Sequence, residues 1–381
     1  MNPRASAPTL NHEISRPKKT SSGELQIVDS FELTKPPDSS SPLIAEVESF
    51  LDGQGTSHPF QLPKWGQNTG LWALFRRRGQ LCWFAQCGVF YPAGRLLASV
   101  QALVVNRGPV AVNPECLLEG LSEFTKVAAE RGFTLVDIIP EWTCDSDADI
   151  TAKIRMNGWQ PIGNARKSLR LDLSRDADQL MTGFRKVVRY EIRRAERLNI
   201  VVKPACTESE YEAWLGLYIS MAKAKHFTAE DPNHIRRILQ WLGTESGRGS
   251  LLLAHYQSKL VGGVVIVRSG ARCWYVFGAT VKSEQFSAGH LLQWRALQWA
   301  KDNGCREYDF GGYTQDAKTG PAFFKEGFCD NVVTFPAASR YILRPGLHGM
   351  SEIVRTSRGK LRSLIERSNR QNHFSEARPL S

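Results

Sequence analysis

Between Pro42 and Leu343 the chain runs twice through a similar order, a meander of short β segments with helix and strand beside it. An α/β layer structure with mixed sheets accommodates that order. In the first half Leu71–Phe75, Leu81–Phe90 and the stretch Leu96–Val112 read as three strands separated by turns. Asn113-Pro114 sets an N-cap residue before a proline at the first helical position and predicts a helix to Arg131-Gly132. A strand over 134–139, a helix ending near Gly158 and a long strand Trp159–Leu173 follow. The second half opens with a helix over 176–198, a short strand Ile200–Val202 and helices over 209–224 and 233–242. Three strands (Ser250–His255, Val261–Arg268, Ala271–Ala279), a helix over 288–303, a strand at Glu307 and a closing strand Asn331–Leu343 complete it. No residue-level repeat accompanies this order, so a duplication rests on the elements alone. The expected division is a first domain over 45–174 and a second over 175–345.

With 381 residues and 42% hydrophobic content, two cores of ordinary size fit this division. Residues 1–41, rich in Ser, Pro, Thr and Lys without apolar period, are expected to be a disordered tail. Residues 346–381 are expected to be a basic tail, helical at first. No apolar run reaches the ~20 residues that span a bilayer, and no signal-peptide core opens the chain, so the expectation is a cytoplasmic protein without a transmembrane segment. The eight cysteines form no CxxC pair, and no histidine stands at zinc-finger spacing, so neither a metal nor a bound cofactor is expected. A formal charge of +11 points to a polyanionic partner: nucleic acid, a phosphate-bearing substrate, or peripheral contact with an anionic membrane.

Two stretches carry chemistry. Glu307–Phe328 reads as a buried strand, Tyr308-Asp309-Phe310, that stops at Gly311-Gly312, then a polar loop, Gly320 and an aromatic turn ending in Phe323-Phe324-Lys325. Adjacent glycines at a strand end let a ligand approach the backbone, with an acid just before and a lysine after. The same residues also suit a core strand, a tight turn and a lysine reaching out from an apolar helix. The second stretch is amphipathic: Met181, Phe184, Val188, Ile192 and Ala195 form an apolar stripe, while Arg185, Lys186, Arg189, Arg193 and Arg197 gather on another face. That face suits phosphate groups, and equally a solvated helix surface.

The chain resembles the FemAB-type aminoacyltransferases and related GNAT-fold acyltransferases, over roughly Ser49–Leu343. The resemblance lies in Phe60-Gln61 with Trp65, Arg107-Gly108-Pro109-Val110, the run from Ser168 to Ser174, and Phe184 through Arg189 to Ala195. It continues through Leu291, Leu297 and Trp299-Ala300, then Tyr308 to Gly312, and Gly320 with Phe324-Lys325 and Gly327-Phe328. It implies tandem GNAT-like domains and transfer of an amino acid from aminoacyl-tRNA to an amine, such as that of a peptidoglycan-type precursor. It also implies that Lys325 stabilises the oxyanion. The physical chemistry agrees, because amine attack on an ester concentrates negative charge on one oxygen, and a fixed cation walled by Phe323, Phe324 and Phe328 would meet it in a low dielectric. Asp309 would orient the amine or simply bond the loop amides. Arg185, Lys186, Arg189 and Arg193 would bind phosphate, and Gly311, Gly312 and Phe324 would line the substrate site. His226 and His290 are expected to be structural.

Two departures bear on the donor. Residues 279–290, where GNAT enzymes carry a glycine-rich pyrophosphate loop, hold one glycine, which weakens an acyl-CoA donor. Nothing between Leu198 and Ser250 has the heptads of the helical arm found in staphylococcal-type Fem proteins. An acyl-CoA-dependent N-acyltransferase of polysaccharide or lipid synthesis, and a non-catalytic RNA-binding protein on the same fold, remain alternatives.

Overall fold

The computed structural model describes residues 29–66, 70–94, 98–143, 148–314, 320–354 and 356. The chain forms two mixed sheets. The first contains β1 (Ser30–Thr34), β2 (Leu71–Arg77), β3 (Gln80–Phe90), β4 (Ala102–Asn106), the short β5 (Val110–Ala111), β6 (Leu135–Ile139) and β7 (Gln160–Ile162). The second contains β8 (Arg166–Asp172), β9 (Val201–Pro204), β10 (Gly249–Tyr256), β11 (Lys259–Ser269), β12 (Arg272–Thr280), β13 (Glu307–Tyr313) and β14 (Val332–Phe335). The last strand, β15 (Ala338–Ile342), returns to the first sheet, between β6 and β7.

Alternation decides which face each residue takes. Phe75 and Trp83 pack beneath α2 (Pro114–Glu130), while their neighbours Leu74 and Phe84 enter a core shared with the second sheet. That shared core takes Val47 and Leu51 from α1 (Pro42–Asp52), Trp214 and Tyr218 from α6 (Glu208–Ala224), and Ile238 and Leu239 from α7 (Pro232–Thr244). The opposite face of the second sheet is covered by α5 (Lys186–Arg197) and α8 (Ala288–Asp302). Asn113 caps α2 as its position implies, its Oδ1 accepting from the Cys116 amide at 2.8 Å.

Three expectations are corrected. Residues 30–34 are not a disordered tail but a strand paired with β2, because Phe31 and Leu33 alternate inward onto the core; residues 1–28 lie outside the described residues. The helix over 176–198 is two helices, α4 (Ala177–Gly183) and α5, broken where Phe184 takes an extended ψ of 152°. Phe184 is drawn into the core between Trp294 and Phe328, and the Arg185 amide leaves the helix to donate to the Gly327 carbonyl at 2.9 Å.

The third correction concerns the division of the chain. The stretch read as one strand, Trp159–Leu173, is β7 in the first sheet and β8 in the second; the closing strand is likewise β14 in the second and β15 in the first. β8 pairs antiparallel with β14, and β7 with β15, so the two segments form a ribbon crossing both sheets. A boundary at 174 and 175 therefore leaves each sheet a strand short. The expected helical start of the C-terminal tail is present over 345–354; its basic residues from 357 onward lie outside the described residues.

Candidate active site

The ribbon crosses beside a cavity of about 760 Å³, where both sheets contribute walls. Parallel pairing of β12 with β13 ends at Trp274 and Asp309, and the register of β13 against β8 shifts between Asp309 and Gly312. Gly311, at φ +73°, turns the strand there, a conformation that a side chain strains. Asp309, Gly311 and Gly312 all line the cavity.

Asp309 is buried and both its oxygens are engaged. Oδ1 accepts from the Gly311 amide at 2.8 Å and from Ser168 Oγ; Oδ2 accepts from Arg170 Nε and Nη2, each at 3.4 Å. This carboxylate holds the strand end and its glycine turn in place. Lys325, on α9 (Gly320–Glu326), is not itself a lining residue but donates from Nζ to the carbonyl of Gly312, which is, at 2.7 Å. Burial brings its pKa down to about 8 while the Asp309 carboxylate pulls it upward. It is therefore a cation at neutral pH with donors to spare beyond the Gly312 bond.

Beneath Lys325, Phe324 packs on His290 at 4.8 Å and on Phe328 at 5.4 Å. Phe323 is not part of that wall: it is 62% exposed, with the Arg185 guanidinium 5.5 Å from its ring. His290 is half-buried, bonded to Ser287 Oγ at 2.7 Å, and burial lowers its pKa to about 4, which suits a structural ring. His226 is exposed, away from the cavity lining.

The basic residues of α5 lie apart from this cavity. Lys186, Arg189, Arg193 and Arg197 surround Tyr190 in an open surface concavity of about 890 Å³. Arg189 spends one donor group on the carbonyls of Thr182 and Phe184, closing the helix break, and Arg185 pairs with Glu326 at 3.1 Å. Glu196 also lines the concavity, one acid among four cations, and is itself paired with Arg295 on α8 at 3.1 Å. Among the described residues, Lys186 and Arg193 have no acidic partner.

The cavity's other wall went unrecognised in the sequence. Glu141, 3% exposed, follows β6 and receives Arg107 Nη1 at 3.2 Å and Arg166 Nη2 at 3.5 Å on Oε2. Burial raises its pKa to about 7, against the opposing pull of Arg107. Arg107 has a left-handed φ of 62°, strain that persists only when neighbours fix it. Gln61 is among those neighbours, donating to the Asn106 carbonyl at 2.7 Å and accepting from the Gln86 amide at 2.7 Å. His58, also buried, accepts the Phe60 amide on Nδ1 at 3.1 Å, so its Nε2 carries the proton. Burial, then Arg107, holds its pKa well below the usual value and keeps the ring neutral. The motif pair Phe60-Gln61 and Arg107-Gly108 was the available signal; nothing near Pro140-Glu141 marked the acid.

A family model for an acetyltransferase (GNAT) domain matches residues 182–325. A UDP-N-acetylmuramoylpentapeptide-lysine N(6)-alanyltransferase from Weissella viridescens is 21% identical over 154 residues, 40% of this chain; the match spans 45% of that protein's length. The crystal structure of FemX superposes with a TM-score of 0.71 at 16% identity, covering 81% of this chain and 98% of that one. The structure of L-PGS from Bacillus licheniformis does so at 0.54 and 14% identity, covering 86% and 99%. Fold and matched domain define the class, a GNAT-fold acyltransferase architecture in tandem. Within it the chain is similar in sequence to the Weissella alanyltransferase and in fold to FemX, the resemblance its motifs implied. No helix among the described residues is long and apolar enough to cross a membrane.

Proposed function

We propose that the protein transfers an amino acid from aminoacyl-tRNA to the amine of a small phosphate-bearing acceptor, of the kind that peptidoglycan-type precursors present. The observation that carries this reading is the Lys325 ammonium, held to the carbonyl of Gly312, a glycine of the cavity lining. As an amine attacks the ester carbonyl, the carbonyl's electron pair moves onto oxygen. A preorganised ammonium stabilises that charge most in surroundings such as Phe324, Phe328 and the buried Tyr308–Phe310 strand provide. The alanyltransferase relative acts, by its name, on the lysine of such a precursor.

The α5 face suits the donor's phosphates. Lys186 and Arg193 are free to neutralise backbone charge, and Tyr190, 52% exposed, offers a ring to an unpaired base. The junction of β12 with α8, residues 281–287, has no glycine, which argues against a pyrophosphate cradle for acyl-CoA.

The test is donor consumption with an amine acceptor, bulk charged tRNA in one reaction and mixed acyl-CoAs in another, with Lys325→Ala as control. Lysine-dependent loss of the aminoacyl ester supports the reading. Lysine-dependent loss of thioester moves the protein to acyl-CoA chemistry. Salt-sensitive RNA binding with neither donor consumed leaves an RNA-binding protein.

A further inference from the structure

The cavity holds a buried carboxylate with no part in the oxyanion chemistry. We propose that Glu141 is the proton acceptor for the attacking amine, oriented by Arg107 and Arg166; this rests on the aminoacyl-transfer reading above.

An amine acceptor is an ammonium ion at neutral pH and has no lone pair until a proton leaves. Among the cavity groups the choice of acceptor is narrow. Asp309 has both oxygens occupied by Ser168, Gly311 and Arg170. His58 uses Nδ1 on the Phe60 amide, so its remaining nitrogen is a donor. On Glu141 both bonds among the described residues fall on Oε2, which leaves Oε1 for an incoming ammonium.

The charges facing Glu141 come from every wall: Arg107 after β4, Arg166 and Arg170 on β8, Arg272 on β12, and the Asp309 carboxylate on β13. Beside these, His58 is neutral. The cations keep a buried carboxylate ionisable, while burial and Asp309 raise its affinity for a proton to about pH 7, close to where a general base works best.

The step balances. Glu141 takes one proton from the ammonium; the freed nitrogen attacks the ester carbon, a C–N bond forms and the C=O pair moves to the oxygen facing Lys325. On collapse the ester C–O bond breaks, and the departing ribose oxygen takes the second proton that nitrogen loses. The proton on Glu141 returns to solvent.

The experiment uses the full chain with bulk aminoacyl-tRNA and lysinamide, reading kcat against pH for wild type, Glu141→Gln, Glu141→Asp and Lys325→Ala. The wild-type rate is expected to rise with pH to a midpoint near 7. Glu141→Gln should lose that rise and at least about 100-fold in kcat, with the KM for tRNA unchanged. Glu141→Asp should keep the rise with a displaced midpoint. If Glu141→Gln keeps the wild-type profile while Lys325→Ala loses turnover, the base assignment is wrong and the transfer reading stands. If wild type shows no lysine-dependent ester loss, the transfer reading falls and takes this one with it. An independent check is carbon-13 NMR of labelled glutamate carboxyls: one should titrate near pH 7 and vanish in Glu141→Gln. Titration of every glutamate below about pH 5 would overturn the proposal whatever the turnover.

Discussion

Lys325 is one of 49 lysines and arginines, and its surroundings alone set it apart. Burial lowers its pKa to about 8, so the form able to stabilise an oxyanion is lost as pH rises through that value. Turnover should therefore fall above pH 8, and Lys325→Arg, whose cation does not titrate there, should abolish the fall even where it lowers kcat. A kcat–pH series on the two proteins decides this; an unchanged descending limb in the arginine variant would assign it to another group. Glu141 makes a prediction about stability. Its carboxyl keeps a proton to about pH 7 when folded but surrenders it near 4.5 when unfolded. Its stabilising contribution is complete below the unfolded value and is lost as pH rises through the folded one, a difference of ~3 kcal/mol at most. Glu141→Gln should flatten denaturant midpoints measured between pH 5 and pH 8. Legibility at this scale followed distance along the chain. Asp309, Gly311, Gly312 and Lys325 lie within one short stretch whose pattern exposes them. His58, Arg107, Glu141 and Arg166 meet only through folding, and an acid after Pro140 looks like any other loop acid until two arginines close on it.

At the scale of elements, Lys325 depends on how α9 is docked. The Arg185 amide, freed by the break between α4 and α5, donates to the Gly327 carbonyl and clamps the residue that follows α9. A Cβ on Gly327 would sit 2.5 Å from Val188 Cγ2 and 3.1 Å from the Phe324 carbonyl. Val188 is fully buried and has no room to yield. Gly327→Ala should destabilise the protein by about 1–3 kcal/mol and displace Lys325, lowering kcat more than tRNA affinity. Calorimetry with single-turnover kinetics would show it; a variant as active and stable as wild type would mean that α9 docks loosely. The outer face of α5 should behave oppositely. Replacing Lys186 and Arg193 by alanine should weaken tRNA binding at every salt concentration and reduce the slope of log K against log salt by roughly one for each phosphate no longer neutralised, with stability unchanged. The α5 pattern was readable because charge and apolar residues separate at helical period. The break before it was not, because Phe184 fits the helical stripe and only its packing against Trp294 and Phe328 draws it out of the helix.

The whole molecule is joined by the strands it exchanges. β8 lies between β13 and β14 although the rest of the chain before it builds the first sheet, and β15 lies between β6 and β7 although it follows the second. The order of elements made two mixed sheets legible, but extended residues look alike whether they stay in one sheet or pass into the next, so the crossing could not be read. Its consequence is cooperative. Removing either ribbon segment strips an interior strand from one sheet and exposes neighbouring backbone donors and acceptors. The shared core, in which Trp72 and Phe84 lie with Trp214 and Val265, removes any dry surface along which the sheets could part. Much of the cavity wall lies on or beside this ribbon: Arg166, Lys167 and Ser168 on β8, Phe335 on β14, and Glu141 held by Arg166. The site therefore exists only while both sheets are intact. Heating should give one calorimetric transition whose van't Hoff enthalpy matches the measured enthalpy, with loss of turnover coinciding. Polypeptides ending at 174 and beginning at 175 should each fail to fold alone, and should recover structure and Lys325-dependent turnover only when produced together. Two separated transitions, or a second half that folds and turns over alone, would show that the exchanged strands are ornament rather than the joint on which the site is built.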